Sequence, residues 1–339
     1  MKILEVSRYK TIYADNILPF VKEQGESLRD LRCEIDYFLV KGNYIKAVGA
    51  LKKKIREFKP DVVHAHFGLS AITAELQSLV PVVTTFHNGE TLNWHVNLLS
   101  SLFSLRAKHV IYVAQHIRDL SYFKAKHYSI IPCGVSLEDC FLMDKEEARQ
   151  RLGWKADTKY ILFGGAFANK RKNYALLRDA VSRLNDELSR DKSLNDGCDH
   201  QLNDVKIEVV EMKGLTREQC VLRMNACDLF ALPSHSEGSP QALKEAMAVN
   251  CPCLATDIAD VRELFGNEPG HFILRNPRKT HERWDADERS LDEMVELLKE
   301  ALAFDGRTMG RERIMQLELS NEQVAQRIIK IYKQILKIN

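Results

Sequence analysis

The chain alternates short apolar runs with longer amphipathic ones. In its first part, runs at residues 1–7, 35–40, 61–66, 82–86, 109–113 and 129–132 read as strands. Residues 18–29, 41–59, 71–79, 101–107 and 117–124 read as the helices between them. A turn at Pro132-Cys133-Gly134 leads out of this set, and the alternation then resumes. A helix at 145–152 ends at Gly153. After it come a strand at 160–165, a helix at 174–188, a strand at 205–210 and a helix at 216–226. The pattern is clearest from Asp228 to Asp257, where a strand at 229–232, a polar loop, a helix at 240–249 and a strand from Pro252 make one βαβ unit. Strands that alternate with helices pair in parallel. The expected fold class is therefore α/β, with two doubly wound, Rossmann-like domains and a crevice available between them. We expect the first domain at 1–134, the second at 135–320, and a terminal amphipathic helix at 321–339 that packs back on the first. Residues 189–204 are polar and carry two further copies of the Leu-Asn-Asp of 184–186, at 194–196 and 202–204, which we read as a surface insertion.

Composition fits this picture. At 339 residues, two domains are the natural prior. A hydrophobic content of 45% and a charged content of 28% are those of a soluble globular protein. No apolar run is long enough to span a bilayer, and the first residues enter a strand without a secretory leader. The eight cysteines follow no framework spacing, so a reduced, cytoplasmic protein is expected. Net charge is +2, but residues 1–134 hold 18 Lys/Arg against 12 Asp/Glu. The excess is densest at 41–59, where Lys52, Lys53 and Lys54 interleave with Ile45, Val48, Leu51, Ile55 and Phe58. A solvated helix face explains this, and so does contact with an anionic membrane surface or a polyprenyl-phosphate acceptor. No nucleic-acid-binding motif is present, so no nucleic-acid partner is expected.

Candidate chemistry gathers where loops leave the carboxyl ends of strands. Ser239 fits an N-cap and Pro240 a first helical position, so the helix start could hold an anion. Glu237 precedes that helix and Glu245 lies within it. Two carboxylates beside an anion site suit a sugar nucleotide, although their spacing alone fits solvent-exposed helix-end acids equally well. Lys170, Arg171 and Lys172 follow the strand at 160–165, where they could neutralise a diphosphate or form a solvated basic loop. His87 ends the strand at 82–86, placed either to meet a reacting sugar or to bond a turn backbone. Gly164-Gly165 matches no GxGxxG fingerprint, so no dinucleotide cofactor is invoked. His64 and His66 share one face of a strand, but the sequence offers no third or fourth metal ligand. Cys251-Pro252-Cys253 reads as core packing, and no hydrolase motif appears.

Taken in order, these blocks resemble the retaining GT-B glycosyltransferases of family 4. EGSPQALKEAMA, from Glu237 to Ala248, resembles the family's E-x7-E signature. FGGAFANKRKNYALLRDAV resembles its lysine-bearing diphosphate loop, and DVVHAHFGLS, VVTTFHNGE and IIPCGVSLEDCF resemble family patterns in and after the first domain. The resemblance implies two domains facing each other across a cleft. It implies that Glu237 contacts donor-sugar hydroxyls and that Gly238, Ser239 and Pro240 approach sugar and phosphates. Glu245 would bind the ribose, Lys172 the diphosphate with Arg171 or Lys170 as its second ligand, and His87 the sugar from the first domain. The nucleotide base would lie near 212–214. Two positions depart from the family: Ala166 stands where many members carry Arg, and residues 7–16 lack the usual glycine-rich loop. The implied function is transfer of a sugar from a nucleotide-diphosphate sugar to a glycan or lipid-linked acceptor with retention, in surface polysaccharide synthesis. The reaction would need no metal or cofactor. A sugar-nucleotide epimerase of the same fold and a non-catalytic binding protein are the alternatives.

Overall fold

The computed structural model describes residues 1–11, 15–194, 206–276 and 288–338. It divides into two compact units, Met1–Gly134 with Glu318–Asn339, and Val135–Leu317.

The first unit runs β1 (Lys2–Arg8), α1 (Pro19–Asp30), β2 (Glu34–Val40), α2 (Ala47–Phe58), β3 (Val62–His66), α3 (Gly68–Gln77), β4 (Val82–Phe86), α4 (Trp94–Ser104), β5 (His109–Tyr112), α5 (Gln115–Leu120) and β6 (Tyr128–Ile130). The second runs α6 (Lys145–Leu152), β7 (Thr158–Phe163), a single 3₁₀ turn (Lys170–Lys172), α7 (Tyr174–Leu194), β8 (Lys206–Glu211), α8 (Arg217–Ala226), β9 (Leu229–Leu232), α9 (Gln241–Ala248), β10 (Cys253–Thr256), α10 (Val261–Phe265), β11 (His271–Leu274), α11 (Glu288–Ala303) and α12 (Gly310–Gln316). The last helix, α13 (Asn321–Leu336), belongs to the first unit.

Both sheets are parallel. Their orders are β2-β1-β3-β4-β5-β6 and β11-β10-β9-β7-β8. Each begins at an inner strand and winds outward in both directions. That creates a topological switch point between β1 and β3 in one unit and between β7 and β9 in the other, where ligands of doubly wound sheets sit.

Helices cover both faces of the first sheet, and neighbouring residues of one strand serve opposite cores. Ile3 packs with Leu28 of α1 and with Val324, Ile328 and Tyr332 of α13, whereas Leu4 packs with Leu51 and Ile55 of α2 and Ala71 of α3. In the second unit Ile161, Leu176, Leu229, Leu254 and Leu298 share one core. Asp228 fixes the entry to β9, taking Arg149 and Lys145 of α6 at 2.6 Å each and the Tyr160 amide at 2.7 Å. The seven described cysteines are unbridged, and Cys251 and Cys253 are buried. No helix among the described residues is long and apolar enough to cross a membrane.

Some elements differ from the sequence expectation. The helix expected at 101–107 instead spans Trp94–Ser104, because Asn93 caps it by accepting from the His95 and Val96 amides. Strand β11 and helix α12 were not foreseen. Ile45 lies outside α2 and is exposed, and Lys54 of α2 is ion-paired to Asp36 of β2. Most of the insertion expected at 189–204 lies outside the described residues.

Helix α3 holds a buried acid, Glu75. Desolvation pushes its carboxyl up to about 8 from 4.5, against the opposing pull of Arg106 and Lys108. The folded state thus holds this proton more tightly than the unfolded chain. Stability from the group is complete below pH 4.5 and is lost as pH rises through about 8. Glu75→Gln is expected to flatten the fall in Tm between pH 5 and 8. Calorimetry giving equal slopes for the two proteins would remove this assignment.

Candidate active site

In the second unit, the segments leaving β7 and β9 meet at the switch point. Gly164 closes β7, donating its amide to the Ala231 carbonyl at 2.9 Å, and a Cβ there would come within 2.6 Å of Phe230. Only glycine fits this approach. The chain then passes Gly165, whose carbonyl accepts from the Met212 amide at 3.3 Å, so the ends of β7 and β8 stay together. Asn169 caps the 3₁₀ turn by accepting from the Arg171 amide at 3.2 Å, and Asn173 leaves it in the left-handed region at φ 57°. The turn holds Lys172 over Gly165, where a Cβ would lie 3.0 Å from the Lys172 side chain.

Two residues of this basic turn grip the loop after β9. Lys172 Nζ donates to Glu237 Oε1 at 2.8 Å. Arg171 Nη1 donates to the Ser236 carbonyl at 3.0 Å and lies 3.5 Å from Glu237 Oε2, and the His235 amide donates to the Arg171 carbonyl at 2.9 Å. Glu237 and Gly238 are buried. The start of α9 follows directly and brings the positive end of a helix beside this carboxylate.

The cap of that helix differs from expectation. Pro240, with φ −70° and ψ 106°, is the N-cap, and no side chain caps the helix. The Ser239 hydroxyl donates instead to Asp260 Oδ2 at 2.6 Å. Burial raises the Asp260 carboxyl above its usual range, and Lys244 and the Ser239 hydrogen bond pull it back down. Glu245, one turn into α9, accepts from Arg217 Nη2 at 3.1 Å. Arg217 is the first residue of α8, set by a capping box between Thr216 and Gln219. The sequence reading did not find Arg217 or Asp260, and nothing local connects either residue to its partner.

The other switch point carries a polar chain across three strands. His87 Nε2 lies 3.1 Å from His66 Nδ1, and His66 Nε2 lies 2.7 Å from Glu5 Oε2. Phe20 and Phe67 flank the His87 ring at 4.6 and 4.9 Å between centroids. The loop after β4 is shaped by Glu90, which accepts from the Gly68 amide at 2.8 Å and the His87 amide at 3.2 Å. Burial pushes the Glu90 carboxyl up to about 7 in spite of these bonds. Two neutral imidazoles satisfy this chain in one way, because a carboxylate oxygen accepts. His66 donates from Nε2, accepts at Nδ1 from His87 Nε2–H, and leaves His87 Nδ1 as an acceptor facing Cys133 Sγ at 3.7 Å.

The fold also brings a third potential metal ligand, Glu5, beside the two histidines, which the sequence did not offer. Ligand atoms of Glu5, His64 and His66 lie within 4.8 Å of one another, all buried. Both His64 nitrogens are already engaged, by Tyr332 Oη at 2.6 Å and Thr85 Oγ1 at 2.7 Å, and Glu5 bonds His66 directly. Burial first, then the neighbouring histidines, holds His64 well below its usual range and hence neutral. The cluster therefore acts as a hydrogen-bond network.

Two doubly wound units, one presenting a basic turn against the loop and helix of an E-x7-E segment, define a glycosyltransferase of GT-B fold. Residues 29–139 match the model described as Glycosyltransferase Family 4, residues 158–292 match that described as Glycosyl transferases group 1, and the chain belongs to family 4. TuaC of Bacillus subtilis, a glycosyltransferase named for teichuronic acid biosynthesis, is 28% identical over 239 residues, covering 66% of this chain. The chain spans only 59% of that relative's length. The N,N'-diacetylbacillosaminyl-diphospho-undecaprenol alpha-1,3-N-acetylgalactosaminyltransferase of Campylobacter jejuni is 24% identical, with 93% of this chain and 89% of the relative covered. Among solved structures, Anabaena HepE in complex with UDP superposes with a TM-score of 0.68 at 16% identity, covering 98% of this chain and 100% of that one.

Proposed function

We propose that this protein transfers a sugar from a nucleotide-diphosphate sugar to a lipid-linked saccharide in surface polysaccharide synthesis, at the cytoplasmic side of a membrane and with retention at the anomeric carbon. The observation that carries this reading is the Lys172–Glu237 pair at the second switch point, beside the start of α9. In this reading the donor diphosphate displaces Glu237 from Lys172. Lys172, Arg171 and the positive end of α9 then stabilise the charge that develops on the leaving group. Freed from its cation, Glu237 accepts from the donor-sugar hydroxyls. Gly238, Ser239 and Pro240 line the approach, Glu245 holds the ribose, and His87 is assigned the contact to the donor sugar. Neither metal nor cofactor takes part. The undecaprenyl-diphosphate in the name of the Campylobacter relative supports the acceptor class, and the UDP of the Anabaena complex supports a nucleotide donor.

The test is a thermal-shift screen across UDP-, GDP- and ADP-sugars, followed by product analysis with detergent-solubilised polyprenyl-diphosphate sugars. A ligand present at about 100 times its Kd adds about 2.7 kcal/mol of stability. One nucleotide class is expected to raise Tm, and Glu245→Ala to abolish that rise. Identical Tm gains in wild type and Glu245→Ala would refute the donor-site assignment. An epimerised sugar nucleotide formed without acceptor would replace transfer with epimerisation.

A further inference from the structure

The far end of the first sheet holds a cavity that the proposed reaction does not use. It measures about 630 Å³, within the range of small-molecule sites. Glu75 of α3, Leu79 and Pro81 of the turn to β4, Arg106 and Lys108 between α4 and β5, and Ile335 of α13 line it. Val82 opens β4 and Lys108 stands just before β5, so the cavity lies at the amino ends of these strands. His87 follows β4 at the opposite, carboxyl end.

The wall is fixed by the fold itself. Helix α3 ends at Ser78, in the left-handed region at φ 54°. The buried Gln77 side chain then ties the turn, donating to the Val80 carbonyl at 2.6 Å and accepting from the Leu79 amide at 2.6 Å and the Val80 amide at 3.1 Å. The Lys108 amide donates to the Val82 carbonyl at 2.9 Å, which holds the cationic segment beside that turn.

The lining carries an unusual set of charges. Glu75 is only 5% exposed, and its Oε1 has no hydrogen-bond partner among the described residues. A buried carboxyl without a partner costs stability, so folding gains nothing from it. Arg106 and Lys108 both attract this carboxyl, yet both are exposed and neither is ion-paired among the described residues. Burial keeps the proton on Glu75 at neutral pH, as described above, so the cavity offers two cations and one O–H donor. A phosphomonoester answers all three, with close to two negative charges and three acceptor oxygens. A carboxylate would leave one cation unmatched. Leu79, Pro81 and Ile335 supply an apolar wall for the ester group.

We propose that this cavity is a binding site for a small phosphomonoester, separate from the donor site of the second unit. Arg106 and Lys108 take the charge of the phosphate, Glu75 donates to one of its oxygens, and Leu79 and Ile335 cover the organic group.

The test is calorimetric titration of the full chain with hexyl phosphate at neutral pH, with hexanoate as the singly charged comparison. Wild type is expected to bind hexyl phosphate saturably and hexanoate at least about tenfold more weakly. Arg106→Ala/Lys108→Ala alters two exposed side chains, so it is expected to keep the wild-type Tm and to lose at least about tenfold in affinity. Glu75→Gln still donates and should bind within about threefold of wild type, whereas Glu75→Leu should lose about tenfold without a fall in Tm. Lys172→Ala should bind like wild type. No saturable binding by wild type would overturn the proposal, and so would wild-type affinity in Arg106→Ala/Lys108→Ala or in Glu75→Leu. Binding lost in Lys172→Ala but kept in the double variant would place the phosphate in the donor site instead. Vesicles of phosphatidic acid that sediment wild type but not the double variant, with no binding of hexyl phosphate, would assign the two cations to a lipid headgroup and equally overturn the small-molecule site.

Discussion

Lys172→Ala is expected to lower kcat by about 10²- to 10³-fold, the usual effect of removing one preorganised donor to a developing negative charge. Donor affinity should fall much less. Lys172 neutralises Glu237 at 2.8 Å, and in the proposed reaction that attraction is surrendered when a diphosphate takes its place. Part of the lysine's binding contribution is thus offset in the ground state, whereas its contribution to the leaving diphosphate is not. The variant leaves Glu237 with Arg171, whose nearest approach is 3.5 Å, so a control is needed. Lys172→Arg should restore charge without the lysine's reach and recover only part of the rate. Steady-state kinetics with varied donor, alongside thermal unfolding, would decide the matter. A Lys172→Ala protein with unchanged kcat at wild-type Tm would end the assignment of this lysine to the leaving group.

His66→Phe is expected to lower kcat by about 100-fold, in line with losing the partner that orients a functional histidine. Phenylalanine keeps a flat ring next to His87 but cannot accept from His87 Nε2–H. The imidazole then loses both its tautomer and its aim. Glu5 would also be left buried without its 2.7 Å partner, which costs some stability. Glu5→Gln separates the two consequences. A glutamine carbonyl still accepts from His66 Nε2–H, so kcat should stay within about threefold of wild type. If Glu5→Gln fell as far as His66→Phe, the negative charge and not the tautomer would be what matters. His66→Phe with wild-type kcat would remove the chain from the reaction altogether.

The sequence revealed much of this architecture because burial follows local periodicity. Strand β9 and helix α6 lie at the residues their apolar spacing and flanking signals indicate, and the loop from Ser234 to Ser239 lies where a parallel sheet puts ligands. Helix α4 was misplaced for the same reason in reverse, since its small polar side chains face inward. Strand β11 is short, with three of its four residues only partly buried, and gave no clear alternation. The pairings inside the site were hidden by distance along the chain. Arg217 and Glu245 are 28 residues apart, and Ser239 and Asp260 are 21 apart. Glu5, His66 and His87 stand on or beside three strands and meet only because those strands are neighbours in the sheet. The E-x7-E resemblance pointed to the acids without showing that one of them is held by a lysine from another loop.

Helix α13 carries a consequence for how the protein is made. Its residues Val324, Ile328 and Tyr332 fill the first unit's core against Ile3 and Leu28, and Tyr332 Oη reaches His64 Nδ1 at 2.6 Å. During synthesis, the amino-terminal part therefore leaves the ribosome with one face of its sheet covered by α1 but not yet by α13. It must wait for about 180 further residues before that face can be sealed, while the unit encoded between the two parts already has its own core residues in hand. The second unit is thus free to fold first, and the amino-terminal part spends the interval with the α13 side of its core open to chaperones or to other nascent chains.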